Sequence, residues 1–428
     1  MEDAGQSPPT EADTDDRTAR TVGPLLHLSI CGLLIFLPAT VYYLWFCMTV
    51  NHGQPTFPSM SMLTSIPAPT IKSLAIIAGW IILQGLLQIY APGKWFRGPE
   101  LPDGSRLTYK MNGWAAWWIT WMVLGSACGL GWLSPTVLAD QLGPLLSAAN
   151  IIALCLSLYL YWRGQRAYAA QWRDGDGILI DFWLGAELNP RIGGFDFKLF
   201  CEARPGLIGW AAIDLSCAAK QYQLQGTVSG PMILVCAFQL WYIADFFWNE
   251  RTILTTWDIK HEKFGAMLCW GDLVWVPFTY SLQAQYLVTH THDLPWWGVA
   301  GIFLLNFFGY AIFRGANSQK NTFRNDPDRP VWGKPPNYIR TSRGATLLVS
   351  GWWGLSRHMN YLGDFLMSVA WCLPTLFGSP LPYFYCIYFA ILLLHRERRD
   401  HRMCAARYGA DWDRYCAVVP RRIVPWLY

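Results

Sequence analysis

The sequence predicts an all-α polytopic membrane protein of about ten transmembrane helices. Three observations carry that reading. Of the 428 residues, 53% are hydrophobic and only 14% charged, whereas an ordinary soluble domain is about a quarter charged. Apolar runs close to the ~20 residues that a bilayer requires recur along the chain. The loops between them alternate between basic and non-basic. The net charge of +4 gives no ground for a nucleic-acid partner.

In chain order, residues 1–22 are acid-rich (Glu2, Asp3, Glu11, Asp13, Asp15, Asp16) and lack the basic-then-apolar order of a secretory signal. They are expected to be a disordered cytosolic tail. Residues 23–428 then read as one integral membrane domain, with N-terminal helices over 23–225 and a second half over 226–428. Spans are predicted near 24–48, 70–92, 112–134, 144–162, 206–224, 228–248, 265–288, 294–313, 357–375 and 380–395. Loops 49–69, 135–143 and 289–295 contain no Lys or Arg. Loops 93–111, 163–205, 249–264 and 314–356 are basic, as is the tail from Arg396. The excess of Lys and Arg in cytoplasmic loops then puts both termini and all the basic loops on the cytosolic face.

Asp214, Asp245 and Asp272 fall in three consecutive predicted spans. Carboxylates at membrane depth are costly and line cavities or meet partners, so the three together suggest an internal polar cavity. The 12 cysteines contain no C-x-x-C pair and sit mostly in apolar runs. They read as small packing residues rather than metal ligands or disulfides, and no metal site is expected.

Two charge-dense clusters stand out, Gly351–Asp364 and His395–Tyr415. In the first, Asn360 and Asp364 share a helical face with Arg357 and Tyr361 close by. In the second, Arg396, Arg398, Arg399, Arg402 and Arg407 crowd together, with Lys320 and Arg324 in the basic loop that precedes both clusters. So many guanidinium groups require polyanionic company, and phosphate suits Arg. Trp353, Tyr408, Trp412 and Tyr415 offer flat faces to a purine or nicotinamide ring. No G-x-G-x-x-G follows a strand, which excludes a Rossmann site. A dinucleotide would bind in a pocket built from membrane helices in the C-terminal half.

Longer runs make a resemblance specific. Gly185–Arg191, Arg204–Trp210, Trp248–Glu250 with Thr255–Ile259, Gly271–Pro277, Gly315–Lys320 with Phe323-Arg324, and the two clusters are together similar to the sterol reductase family. That family includes Δ14-sterol reductases, the lamin B receptor's membrane domain and 7-dehydrocholesterol reductase. The Thr255-Thr256, Ser318-Gln319 and Trp352-Trp353 pairs look most like the Δ14 branch. The resemblance implies NADPH-dependent reduction of a sterol carbon 14–15 double bond. It implies cofactor contacts at Lys320 and Arg324 (phosphates) and at Leu348, Trp353, Asn360 and Tyr361. Asp364 and Arg396 belong to the same pocket wall, which Asp400, Cys404, Ala405, Ala406, Arg407, Tyr408 and Tyr415 close from the C-terminal side. Tyr242 in the sixth span would approach the sterol as proton donor, with Asp400 as relay partner.

Three alternatives stand beside it. The same chemistry on the carbon 7 or carbon 24 double bond needs only a small shift of the ring in its pocket. An S-adenosylmethionine-dependent membrane methyltransferase shares part of the C-terminal pattern, but has no place for the runs from Gly185 to Lys320. A non-catalytic sterol receptor would not require both clusters. The membrane would be endoplasmic reticulum in a eukaryote and the inner membrane in a bacterium.

Overall fold

The computed structural model describes residues 11–101, 104–167 and 177–428, with side chains from residue 26 onward. Of the acidic tail, residues 1–10 lie outside the described residues, and from Glu11 the backbone is already part of the first helix, Glu11–Trp45. Among the described residues helices dominate, and three two-stranded hairpins accompany them.

Each of the ten predicted spans contains helix, but among the described residues five helices are long and apolar enough to cross a bilayer: Leu26–Val50, Ile71–Tyr90, Leu142–Ala167, Gly230–Trp248 and Trp296–Asn325. The other five are modified for identifiable reasons. Gly113–Gly129 is 17 residues long and ends where Gly131 takes a positive φ. Pro205–Gln225 carries Asp214, Lys220 and three glutamines. The run 265–288 is broken into short pieces by a widened turn at Gly271–Trp275 and by Pro277. Met359–Cys372 stops before Pro374, which supplies no amide hydrogen to continue a helix. Phe384–Tyr408 is apolar only in its first half.

The chain folds as two compact units interleaved in sequence. One comprises 1–52, 56–216 and 242–281; the other comprises 53–55, 217–241 and 282–428. The division expected at 225/226 follows chain order, whereas here the boundaries fall inside the helices Pro205–Gln225 and Gly230–Trp248. Tyr242 belongs to the first unit and the two charged clusters to the second.

The first unit is organised around a buried arginine. Arg204 is wholly excluded from solvent and donates to Gln88 Oε1 (2.8 Å), Asn112 Oδ1 (2.6 Å) and Glu250 Oε1 (2.8 Å). Glu250 Oε2 accepts from the Gly113 amide at 2.8 Å. Asn112 Nδ2 closes the preceding helix by donating to the carbonyls of Leu87, Gln88 and Ala91. Desolvation raises the Glu250 carboxyl and lowers the Arg204 guanidinium from their ordinary values, and their mutual attraction opposes both shifts. Gly113 is required here: a Cβ would run into Phe247, Arg204 and Glu250. A second buried cation, Lys198, gives its ammonium to the carbonyls of Asp258 (2.6 Å) and Glu262 (2.8 Å).

Candidate active site

The second unit is built on the crossing of Trp296–Asn325 with Met359–Cys372. At the crossing, a Cβ on Gly309 would meet Gly363 O, and one on Gly363 would meet Gly309 O and the Phe313 amide. Glycine at both positions lets the backbones touch. Trp371 Nε1 donates to Asn306 Oδ1 at 3.1 Å and fixes the register.

That crossing sets the end of the long helix, 315–324, against the first cluster. Gly351 adopts φ +63° with the Gln319 amide packed on it, and Gln319 Oε1 accepts from the Trp352 amide at 2.9 Å. Trp353 Nε1 donates to Ala316 O at 2.8 Å. Its ring then lies under the Lys320 ammonium, 4.1 Å from the centroid. A partly desolvated contact of this kind is worth about 0.5–2 kcal/mol. The hairpin of Tyr338–Arg340 with Thr346–Leu348 uses strand alternation to serve two faces. Leu348 packs with Trp353, Phe323 and Met359, while Leu347 and Val349 pack against Trp412, Tyr415 and Val419.

Around Lys320 the charges are uncommitted. Arg324, Asp400 and Cys404 are within its electrostatic reach, yet among the described residues neither Lys320 nor Asp400 makes an ion pair. The local Arg396–Asp400 pair that the spacing allows is therefore not formed. Asp400 and Arg396 also influence Tyr361, whose ring stacks on His358 at 4.7 Å. Burial pushes the Cys404 thiol up to about 11, so it stays neutral beside the amine. Two buried polar atoms, Asn360 Oδ1 and Arg357 Nε, have no hydrogen-bond partner. Buried polar atoms are rarely left so.

Of the residues predicted for this site, the structure brings together Lys320, Arg324, Leu348, Trp353, Tyr361, Arg396, Asp400 and Cys404. Asn360 and Asp364 lie on one helix one turn apart. Ala405, Tyr408 and Tyr415 join the apolar layer with Cys404, while Ala406 and Arg407 are exposed on the same helix. The expectation of four free aromatic faces needs correction. Lys320 occupies the face of Trp353. Trp412 and Tyr415 are buried and stacked on each other at 5.0 Å. They are wall rather than platform, because stacking and burial use up the faces a ring would need. Tyr242 lies in the first unit, its ring 6.4 Å from that of Trp210. Of the three span aspartates, Asp214 is fully buried and Asp245 accepts from Asn249 Nδ2 at 3.2 Å. None of the three lines the cleft of the first unit described below.

Sequence reasoning missed the strap made by the last residues. Arg357 donates from its amide to Arg421 O (3.0 Å) and from Nη1 to Cys416 Sγ (2.7 Å). Ser356 Oγ donates to Ile423 O (2.8 Å), and Arg422 Nη1 reaches buried Glu397 at 3.1 Å. His401 Nδ1 accepts from Trp412 Nε1 at 3.1 Å. An indole nitrogen can only donate, so His401 is held neutral on that side. Desolvation, then Arg357 and Arg422, lower its pKa. The Arg357-His358 pair was visible in the sequence, but nothing there pointed to residues 416–423 as its partners. Among the described residues no group of three His, Cys, Asp or Glu side chains is placed to hold a metal, and the cysteines are free thiols.

Residues 28–428 match the ergosterol biosynthesis ERG4/ERG24 family. The chain belongs to that family. It is a membrane sterol reductase by that membership, and hence an oxidoreductase. It is similar to a Delta(14)-sterol reductase of Methylotuvimicrobium alcaliphilum, 54% identical over 92% of this chain and 94% of the relative. Proteins of the same name from Dictyostelium discoideum (44%; 92% of this chain, 89% of the relative) and Mus musculus (45%; 94% and 96%) are similar over nearly their whole length. The resemblance drawn from the motifs is the family found, and the relatives carry the name of the branch that the residue pairs suggested.

Proposed function

We propose that the protein reduces the carbon 14–15 double bond of a sterol intermediate, with NADPH as electron donor bound in the second unit. The observation that carries the cofactor reading is the unpaired Lys320 ammonium, held on Trp353 and facing Arg324, in a pocket wall with an orphaned amide oxygen at Asn360. A polyanion with an amide-bearing ring satisfies both needs at once. Lys320, Arg324 and Arg396 would hold its phosphates. Leu348, Trp353, Asn360, Tyr361 and Asp364 would form the ring side, and Asp400, Cys404–Tyr408 and Tyr415 the C-terminal wall. Ten crossing segments with both termini on the cytosolic side would open this wall to the compartment where such a donor is soluble.

The chemistry constrains the rest. An isolated ring alkene is a poor hydride acceptor and must first gain a proton, which leaves a tertiary cation at carbon 14. When bound, the dihydronicotinamide supplies the hydride that quenches that cation. The chain must therefore deliver a proton, exclude water and tolerate transient positive charge. We assign the proton to Tyr242. A phenol with a pKa near ~10 is a weak acid that needs a polar neighbour. Membranes containing the protein, incubated with NADPH and a Δ14-unsaturated sterol, should yield a product two hydrogens heavier. Turnover of Δ7 or Δ24 sterols alone would refute the position. Tyr242→Phe should remove turnover while NADPH binding stays intact; normal turnover would end the acid assignment.

A further inference from the structure

The first unit contains a cleft of about 450 Å3, walled by the first helix, by Leu142–Ala167 and by the segments 66–69, 182–183 and 266–270. That volume falls within the ~300–1,000 Å3 of pockets that enclose a small molecule. The lining is almost wholly apolar. On the first helix it runs from Leu33 to Tyr42, and on Leu142–Ala167 from Ser147 to Ser157. At ~1.5 Å rise per residue, either wall is roughly 14–15 Å long. Both helices are long and apolar enough to cross a membrane. The rim residues Leu33, Ile66, Ile151 and Leu154 are exposed, so the cleft opens where bilayer lipid would be. Pro38, Pro67, Pro69, Trp183 and Trp270 make stiff walls, better matched to a rigid body than to a flexible chain.

At one end sits an ordered hydroxyl relay. Ser147 Oγ donates to Pro67 O at 2.5 Å, which uses its single hydrogen. The Tyr42 hydroxyl, 2.9 Å from Ser147 Oγ, must therefore be the donor in that contact. The phenol oxygen is left with lone pairs and no donor, next to the apolar slot. Elsewhere the polar lining is satisfied internally: Asn150 Oδ1 accepts from Trp270 Nε1 (2.8 Å), and Ser157 Oγ donates to Ala153 O (2.7 Å).

A slot with rigid apolar walls, a mouth toward lipid and one hydroxyl-accepting end describes a particular ligand class. We propose that this cleft binds one intact sterol from the bilayer, with its 3-hydroxyl donating to Tyr42. The inference concerns the first unit alone and needs no turnover.

The test uses the full chain in phosphatidylcholine vesicles, with a diazirine-bearing cholesterol as photoprobe and peptide mapping of the label. Label should fall on residues 33–42 and 147–157 and be displaced by excess unlabelled cholesterol but not by palmitic acid. Ile151→Trp, at an exposed rim position, should fill the slot and cut labelling by about tenfold or more, and Tyr42→Phe should weaken probe affinity about two- to tenfold, as expected for one lost hydrogen bond. Thermal unfolding checks that both variants fold, and if the tryptophan variant does not, Tyr42→Phe decides. Equal displacement by palmitic acid would make this an acyl-chain groove and overturn the proposal. Label spread without preference, or unaltered affinity in Tyr42→Phe, would overturn it as well.

Discussion

Arg204 and Lys320 are both cations withdrawn into a largely apolar protein, and they are handled in opposite ways. Arg204 meets a carboxylate and two amide oxygens, all within 2.8 Å, and only its Nη1 lacks a hydrogen-bond partner. Lys320 meets an aromatic face and a second cation, Arg324, and its carboxylate neighbour Asp400 stays beyond ion-pair distance. Removing a charge from water is expensive, and full pairing offsets the cost only when the geometry is good. The first centre has its ion pair formed and can act as structure. The second is left open, as the proposed polyanionic cofactor would require. Arginine content alone does not tell the two apart; the presence of a committed acceptor does.

The comparison can be broken most directly at Arg204. Arg204→Met should destabilise the protein by about 3–5 kcal/mol, because Glu250 is left buried without its partner. Thermal unfolding in detergent, or a collapse of folded yield, would register it. A variant as stable as the parent would mean that the first centre is not structural. Lys320→Ala is the converse. It should change the unfolding temperature little and raise the KM for NADPH by about tenfold to a hundredfold, each factor of ten being ~1.4 kcal/mol of lost binding. A large stability loss with unaltered cofactor kinetics would make the two centres alike. Arg324→Ala, at an exposed position, should follow the same direction with a smaller rise.

The strap offers the mildest test. The pKa of His401 is lowered in the folded protein, so below an imidazole's ordinary value of ~6.5 the unfolded chain takes up a proton that the folded chain refuses. Stability contributed by the neutral ring is therefore present above that value and is lost as the pH falls through it toward the folded value. His401→Gln keeps an acceptor for Trp412 but cannot titrate, so its unfolding temperature should fall less than the parent's between pH 7 and pH 5. Parallel pH profiles would show that the ring is not held neutral by Trp412 and Arg357.

The clustering of the candidate site was legible before any geometry. Charge density singled out Lys320, Arg324, Arg396 and Asp400, and the resemblance added Trp353 and Tyr361; the fold brings these six together. The aromatic platform was misjudged for a complementary reason. Trp412 and Tyr415 have the same composition whether they stack on a ligand or on each other, and only their packing separates the cases. Asp214, Asp245 and Asp272 show the same limit, since three acids in consecutive spans share a sequence signature that does not say what each of them meets.

By itself the sequence determined the class of the molecule, its apolar segments and the family motifs, because hydropathy and turn residues act locally and are written in order. The tertiary structure alone decided which charges are spent and which are free. It joined Arg204 to Asn112 and Glu250, kept Asp400 out of ion-pair range of Lys320, and tied residues 416–423 to Arg357. Such pairings depend on helices that cross where Gly309 and Gly363 let two backbones touch, and the energy of a charge depends on what that crossing brings beside it.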